Sequence, residues 1–323
     1  MPHPMQQYHD LLERAFLTGT IQHNQRTGID CHVLPGVQLQ FDLRDGFPAV
    51  STKKLHFRSV VAELLGFLQG CDSAAQFRAL GTRIWDANAN DTPAWVNNPN
   101  RRGPDDLGRI YSKQWTDWRD YRGVGSLSEA ETLERHGYSM VMHDSRQPSW
   151  LMLRGINQVE RALDLIMTNP SDRRILISGW RPDEFDQMAL PPCHNTYAFI
   201  PFEDLRELHM VMTVRSWDLF LGAPFNIASG ALFLAIMARL SGYQAATMTI
   251  QAANAHLYAN HRQQTAEQLE RDHLPLPSLA IADHIGPLES ADLVPGVFST
   301  LNPEHFALLD YQHHPAIKAP MAV

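Results

Sequence analysis

Cysteine is scarce in this sequence, and long apolar runs are absent. The 323 residues include only three cysteines. This number is too small and odd for a disulfide framework, so we expect a reducing, cytoplasmic compartment. The first residues lack the basic start and apolar core of a signal peptide. The longest apolar stretch, residues 225–240, contains Asn226 and Arg239. It is too short and too polar for a membrane span, and we expect a buried helix there.

An excess of positive charge is also missing. Lys and Arg total 27 against 35 Asp and Glu, which gives a formal net charge of −8. A general nucleic-acid binder needs a basic surface to displace counterions, so this class is disfavoured, although a local basic pocket for one small anion stays open. The sequence has no Walker phosphate loop, no Rossmann glycine fingerprint and no zinc-ligand spacing. We therefore expect no metal site.

Apolar periodicity predicts a mixture of helices and strands. Helical spacing of apolar residues occurs over residues 8–16, 57–68 and 158–169. Clean alternation predicts a strand over residues 208–216. Residues 32–34 and 37–43 are predicted to be two short strands on either side of a turn at Pro35-Gly36.

Two segments, near residues 89–108 and 119–150, are polar or weakly periodic. Such segments are typical of loop-rich surface inserts. No internal repeat and no linker interrupts the rest of the chain. We therefore expect a single α+β domain over residues 1–323 that carries these two inserts.

The candidate nucleophile is a thiol in a rigid turn. Cys193 lies in Leu190-Pro-Pro-Cys-His-Asn195, where the two prolines restrict the backbone and fix the direction of the thiol. The thiolate is the reactive form and needs positive charge nearby, which Arg215 would supply from the end of the predicted strand. Two other interpretations stay open here: an inert buried cysteine, and a Cys–His hydrolase with a separate general base and oxyanion site.

Four arginines stand at predicted turns or at a strand end: Arg26, Arg173, Arg174 and Arg215. Arginine is the preferred residue for planar, bidentate contact with phosphate. Each of these residues alone is better interpreted as a solvated surface charge. A phosphate site is therefore expected only if they converge in the fold.

Other polar positions have both a structural and a functional interpretation. Asn226 is either a helix-capping residue near Pro224 or a carboxamide that pairs with the edge of a ligand. Glu63 stands in an otherwise apolar helical run, where a surface carboxylate is the simpler interpretation. His256 and Tyr258 share one face of an extended segment.

Taken together, these segments resemble the thymidylate synthase family. The resemblance follows the family order from end to end, and it is carried by Arg26-Thr-Gly28, Glu63-Leu-Leu65, Ile84-Trp-Asp86, Gln114-Trp115, Asp172-Arg-Arg174, Met188-Ala-Leu-Pro-Pro-Cys-His194, Arg215-Ser216, Pro224-Phe-Asn-Ile-Ala-Ser229, His256-Leu-Tyr258 and Ile317-Lys-Ala-Pro320. The two inserts resemble those of the longer bacterial members. The resemblance implies an α+β domain with a large mixed β-sheet flanked by helices, one sheet face forming the interface of a homodimer.

The resemblance also implies an activity: reductive methylation of 2′-deoxyuridylate (dUMP) to thymidylate (dTMP). The thiolate of Cys193 would add to C6 of the uracil, and C5 would take the methylene of 5,10-methylenetetrahydrofolate. A hydride from the same folate would then complete the methyl group and leave dihydrofolate. The folate is a co-substrate, and no metal is implied. The alternative on the same fold is a pyrimidine nucleotide hydroxymethylase, in which water captures the methylene.

Residue roles follow from the matched positions. The catalytic residues implied by the resemblance are Cys193, Glu63, Tyr111, His194 and Arg215. The residues implied to bind dUMP are Arg26, Arg215 and Ser216 at the phosphate, Arg173 and Arg174 at the phosphate of the other subunit, Asn226 at the pyrimidine, His256 and Tyr258 at the ribose, and Asp218. The residues implied to bind the folate are His56, Trp85, Asp218, Gly222, Phe225 and Val323.

Several positions depart from the common family pattern, among them Trp217 and Gly70-Cys-Asp-Ser73. Gly66 and Asn88 stand where many members have tryptophan, and Val214 stands where glutamine precedes the phosphate-binding arginine. The changes at Gly66 and Asn88 affect the folate pocket, and Asn88 is the feature that keeps the hydroxymethylase alternative open.

Overall fold

The computed structural model describes residues 2–144 and 149–321. Its helices are α1 (Gln6–Thr18), α2 (Phe57–Leu68), α3 (Ala74–Leu80), α4 (Asp86–Asn90), α5 (Pro93–Val96), α6 (Tyr111–Thr116), α7 (Leu127–Glu134), α8 (Gln158–Thr168), α9 (Gly222–Ser241) and α10 (Arg262–Leu269). Its strands are β1 (Thr20–Asn24), β2 (Ile29–Asp42), β3 (Trp118–Val124), β4 (Ser139–Asp144), β5 (Ser149–Ile156), β6 (Leu176–Ser178), β7 (His194–Phe202), β8 (Glu207–Val214), β9 (Trp217–Asp218), β10 (Gln244–Tyr258), β11 (Ser278–Ile281) and β12 (Phe306–Leu309). The helices predicted near residues 8–16, 57–68 and 158–169 are confirmed as α1, α2 and α8.

A seven-stranded sheet organises the chain. Its order is β1-β2-β10-β8-β7-β6, and the short strand β9 pairs with β10. The β10–β8 and β10–β9 pairs are parallel, whereas β2 pairs with β10 and β7 pairs with β8 in antiparallel fashion. The sheet is therefore mixed, and the predicted α+β fold with a large mixed sheet flanked by helices is confirmed.

One face of the sheet is covered by the apolar helix α9. This helix is long and apolar enough to cross a membrane, but 78% of its most apolar window is buried inside the fold. Such all-round apolarity is expected of a helix that is surrounded by the core. Phe233, on α9, stacks on Trp115 of α6 with ring centroids 5.6 Å apart. The prediction of a buried helix is confirmed.

The other face of the sheet is not covered in the described chain. Along β8 the odd-numbered residues, among them Val211 and Thr213, are half-buried while the even-numbered ones are buried. Leu176 and Ile200 on neighbouring strands are 44% and 37% exposed. A sheet with one dry and one partly solvated face gives this alternation.

The expectation of two short strands around Pro35-Gly36 is wrong. Residues 29–42 form one strand, β2, which pairs with β10 on both sides of Pro35. The pairing skips Gly36, which has φ +61°. Glycine accepts this left-handed conformation without a Cβ clash. The Pro-Gly pair therefore makes an irregularity within a strand instead of a turn, because β10 continues alongside it.

Both inserts have structure of their own. In the first, the buried indole of Trp95 donates a hydrogen bond of 2.6 Å to the carbonyl of Asp106. In the second, β3, β5 and β4 form a three-stranded antiparallel sheet, and Ala130, Tyr138 and Met152 form a small separate core. Most side chains of this small sheet face solvent, which explains why the apolar periodicity of residues 119–150 is weak.

Gly66 makes room for a core aromatic ring. A Cβ added at Gly66 would lie 2.2 Å from the ring of Phe77, which is fully buried. We expect Gly66→Ala to destabilise the fold by about 1–3 kcal/mol through overpacking, against the usual gain from alanine in a helix. Chemical denaturation measures this change. Gly123→Ala is the control because nothing lies within 4 Å of its added Cβ. Equal stability of the Gly66→Ala variant and the parent chain would contradict the packing argument.

Candidate active site

Cys193 and Arg215 meet where strands β7 and β8 adjoin. The Arg215 amide donates to the Cys193 carbonyl at 2.9 Å. The Arg215 guanidinium donates to the carbonyls of Pro192 and Pro191, each at 2.9 Å. One of its terminal nitrogens lies 3.8 Å from the half-buried Cys193 Sγ. The predicted positive charge beside the thiol is therefore in place, and it is held by the carbonyls of the two prolines.

Tyr111 lies on the other side of the Cys193 backbone. Its hydroxyl accepts a hydrogen bond of 2.5 Å from the Cys193 amide. Its ring stacks on Phe67 at 4.9 Å and contacts the His194 ring edge-on at 5.5 Å. Burial, with a further contribution from the Cys193 thiol, raises the pKa of Tyr111, so the hydroxyl keeps its proton.

His194 is buried directly after the thiol. Its Nδ1 lies 2.9 Å from the Tyr197 hydroxyl. Burial lowers the pKa of His194 to about 4, and a hydrogen bond with the Asn226 side chain opposes that shift. The imidazole is therefore neutral near pH 7 and lies next to a carboxamide.

Asn226 lies within helix α9, so it is not the capping residue. The cap position of α9 is Leu221, and the helix begins at Gly222. The capping interpretation of Asn226 is therefore wrong.

Glu63 adjoins an aromatic cluster that Phe67, Trp85 and Tyr111 form. Its carboxylate accepts a hydrogen bond of 3.1 Å from the Trp85 indole, and Trp85 packs edge-on against Phe67. Burial raises the pKa of Glu63 to about 7, and the Trp85 hydrogen bond works against this shift. The interpretation of Glu63 as a surface carboxylate is therefore wrong, and a carboxyl group with this pKa exchanges a proton near neutral pH.

A second group of polar residues lies at the end of β10. Pairing of β9 with β10 sets Asp218 opposite His256, and the rings of His256 and Tyr258 are 5.1 Å apart. Burial lowers the pKa of His256, while the charge of Asp218 raises it and that of Arg26 lowers it further. Burial raises the pKa of Tyr258 to about 12, with smaller effects of Asp218, Arg26 and Cys193. Arg26 therefore lies near both rings, and Cys193 lies near Tyr258.

The remaining predicted residues lie at the start of α2, between β8 and β9, and in the first turn of α9. His56 is exposed at the start of α2, and Ser216 and Phe225 are half-buried. A Cβ added at Gly222 would lie 3.4 Å from the Asp218 Cβ and 3.5 Å from the Asn226 Oδ1. Gly222 is therefore close to both side chains. Val323 lies outside the described residues.

Arg173 and Arg174 stand apart from this group in the described chain. Both are exposed in the turn before β6, and Arg174 pairs with Asp172 at 2.6 Å. With Arg161 and Trp118 they line a cavity of about 460 Å³. Within residues 2–144 and 149–321, no group of three or more His, Cys, Asp or Glu side chains is placed to hold a metal ion.

The structure adds contacts that sequence reasoning did not single out. The Asn195 Oδ1 accepts a hydrogen bond from the Arg215 amide at 3.2 Å, and the Arg215 guanidinium lies 5.3 Å from the ring of Trp180. Asn195 has a local signal, because it belongs to the same Cys-His-Asn run. Trp180 and Tyr197 have none, since their proximity depends on strand pairing.

Sequence comparison relates the chain to known proteins. A sequence model of the family described as thymidylate synthase matches residues 6–323. The thymidylate synthases of Pseudomonas syringae pv. tomato and Pseudomonas putida are 40% and 41% identical to this chain over 324 residues, covering 99% of the chain and 100% of each relative. The thymidylate synthase of Bordetella parapertussis is 42% identical over 326 residues, with the same coverage.

These full-length matches favour the synthase over the hydroxymethylase. The reaction is a methyl transfer to dUMP with 5,10-methylenetetrahydrofolate as co-substrate. The chain belongs to the thymidylate synthase family.

Proposed function

We propose that Cys193 is the nucleophile that adds to C6 of dUMP. The observation that carries this proposal is the convergence of Arg215, Tyr111 and His194 on Cys193. A guanidinium 3.8 Å from the sulfur stabilises a thiolate. The rigid turn and the hydrogen bond of its amide to Tyr111 hold the thiol in one direction.

Glu63, Tyr111 and His194 handle protons around the pyrimidine. A carboxyl group with a pKa of about 7 gives and takes a proton near neutral pH. Neutral His194 and protonated Tyr111 supply hydrogen bonds without adding charge to the site. Asn226 reads the pyrimidine, because its carboxamide offers a donor and an acceptor that match O4 and N3–H of uracil.

Arg26, Arg215 and Ser216 bind the phosphate of the nucleotide. A guanidinium has five N–H donors, and the carbonyls of Pro191 and Pro192 engage the Nε and one terminal nitrogen of Arg215. The other terminal nitrogen would donate to the phosphate. His256 and Tyr258 bind the ribose hydroxyl, beside Arg26 and Asp218.

The folate lies over the nucleotide, against residues on the borders of the site. Asp218, with its Oδ1 held by the amide of Phe220 at 3.0 Å, contacts the pterin and the nucleotide side of the pocket. The other residues that we assign to the folate are His56, Trp85, Gly222, Phe225 and Val323. Glu63 connects this pocket to the catalytic cluster through the Trp85 indole.

The enzyme works as a cytoplasmic homodimer that forms through the uncovered sheet face. That face carries half-buried or exposed apolar side chains, such as Val211, Leu176 and Ile200, which a second copy would cover. Arg173 and Arg174 lie at the edge of this face, in the turn that precedes β6. We assign them to the phosphate site of the partner subunit, which explains why they stand apart from Arg215 within one chain. Residues 1–323 form one domain with inserts near 89–108 and 119–150.

Replacing Cys193 tests the nucleophile. Cys193→Ser is expected to abolish turnover and to leave dUMP binding intact, because a serine hydroxyl beside Arg215 stays protonated near neutral pH. Product formation and nucleotide binding are measured on the same preparation. Cys71→Ala is the control, since Cys71 is buried in the core cluster and should keep nearly full activity. Near-normal turnover by Cys193→Ser would overturn the assignment.

The stability of the fold against pH tests the environment of Glu63. Burial raises the pKa of Glu63 from its ordinary value of 4.5 to about 7. Between these two pH values the carboxyl group is protonated in the folded state and ionised in the unfolded state. Stability from this group is thus lost as pH rises toward and through 7. Glu63→Gln has no charge to bury, so its stability relative to the parent should increase by about 1–3 kcal/mol between roughly pH 5 and pH 8. Denaturation midpoints at these pH values measure the difference, and parallel curves for the two proteins would contradict the buried position.

Subunit mixing tests the shared arginines. Arg174→Ala and Cys193→Ser are each expected to be inactive as homodimers, but a heterodimer has one site with its own Cys193 and the neighbour's Arg174. Random reassociation of equal amounts should restore about one quarter of the parent activity, from half of the dimers with one intact site each. The control mixes Arg215→Ala with Cys193→Ser, which leaves no intact site. Absence of recovery in well-folded Arg174→Ala hybrids would place Arg174 outside the partner's site.

A further inference from the structure

A buried ion pair connects the two segments that hold Tyr111 and Cys193. Glu184, in the turn Pro182–Gln187, is 3% exposed. Its Oε2 accepts from the Arg109 Nε at 2.6 Å and from the Gln114 side chain at 2.8 Å. Gln114 lies on the helix that begins at Tyr111, and Arg109 is two residues before that helix. Glu184 itself lies in the segment that leads to Cys193.

The two segments are also joined directly along their backbones. The Arg109 amide donates to the Gln187 carbonyl at 2.8 Å, and the Ala189 amide donates to the Leu107 carbonyl at 2.9 Å. Gly108 makes this approach possible, since a Cβ there would lie 2.1 Å from the Gln187 carbonyl oxygen and its φ is +66°. The Tyr111 helix and the Cys193 approach therefore form one unit, and Glu184 is its charged centre.

The second insert reaches the same carboxylate. Arg119 on β3 and Arg181 both lie 3.7 Å from the Glu184 Oε1. Arg181 donates to the Arg119 carbonyl at 2.8 Å, and Arg109 pairs with Asp117 at 3.0 Å. Three guanidinium groups thus surround one buried carboxylate. Those of Arg109 and Arg181 also bind Asp117 and the Arg119 carbonyl, and so connect the carboxylate to the base of the insert.

We propose that Glu184 and Arg109 are a positioning pair for the reaction, holding the Tyr111 hydroxyl against the Cys193 amide. The inference rests on the proposed role of Cys193 as nucleophile. Neither residue contacts the thiol, so the pair acts through the position of Tyr111 and of the Pro191-Pro192 turn. A buried carboxylate is fixed in place when charged donors satisfy it from several directions. Misplacing a reacting group by about 1 Å costs a large factor in rate.

The test separates chemistry from folding by counting competent sites. Glu184→Leu removes every acceptor, whereas Glu184→Gln keeps one carbonyl oxygen for Arg109. Active sites are titrated with 5-fluoro-2′-deoxyuridylate and methylenetetrahydrofolate, and kcat is expressed per titrated site. We expect a loss of about tenfold or more in kcat per site for Glu184→Leu, a smaller loss for Glu184→Gln, and KM for dUMP within about twofold of the parent.

The control is Asp120→Asn, which breaks an Arg–carboxylate cluster with Arg122 and Arg154 inside the insert. Its kcat per site should equal that of the parent. A purely structural role of Glu184 would reduce the number of titrated sites and leave kcat per site unchanged, and this result would overturn the proposal. If Glu184→Leu does not fold, unchanged kcat per site in Glu184→Gln and Arg109→Lys would overturn it equally. Failure of the parent chain itself to form the adduct would instead contradict the proposed function.

Discussion

The contact between the Arg215 guanidinium and the Cys193 sulfur is the interaction on which the site depends. It exists because β7 and β8 pair in antiparallel fashion, with a register shift between His194 and Thr196, so that the residue after β8 lies beside the residue before β7. The carbonyls of Pro191 and Pro192 then hold the guanidinium by two hydrogen bonds. Within residues 2–144 and 149–321 no carboxylate forms an ion pair with Arg215, so its positive charge is held by neutral acceptors beside the thiol.

Burial determines the other groups around the thiol. The cluster of Phe67, Trp85, Tyr111 and Trp115 excludes water, and it favours the neutral form of every titratable group that it covers. This effect raises the pKa of Glu63 and lowers that of His194. Next to the thiol, the positive charge of Arg215 is thus combined with groups that are neutral or exchange a proton near pH 7, a combination suited to the negative charge that the proposed addition of the thiolate would place on the pyrimidine.

Sequence reasoning found the elements whose signal is local. The helix at residues 57–68 has full apolar periodicity, and the strand at residues 208–216 alternates because one sheet face is dry. The Pro35-Gly36 turn was mispredicted because the partner that carries β2 past it, β10, lies more than two hundred residues away. The resemblance to the thymidylate synthase family implied that Glu63 is catalytic, whereas the apolar pattern around Glu63 alone indicated a surface carboxylate. Its environment comes from Trp85 and other residues outside its own helix. The Arg109–Glu184 pair spans 75 residues and has no local pattern to reveal it.

Intact-mass analysis of an inhibitory complex tests the central claim most directly. The chain is incubated in its folded state with 5-fluoro-2′-deoxyuridylate and 5,10-methylenetetrahydrofolate, and its mass is measured before and after proteolysis. The fluorine at C5 cannot leave as a proton does, so the reaction should stop with the nucleotide joined to the enzyme and to the folate. The account predicts a mass increase equal to both ligands, located on the peptide that contains Cys193. An unchanged mass of the folded chain, or an adduct on a peptide without Cys193, would contradict it.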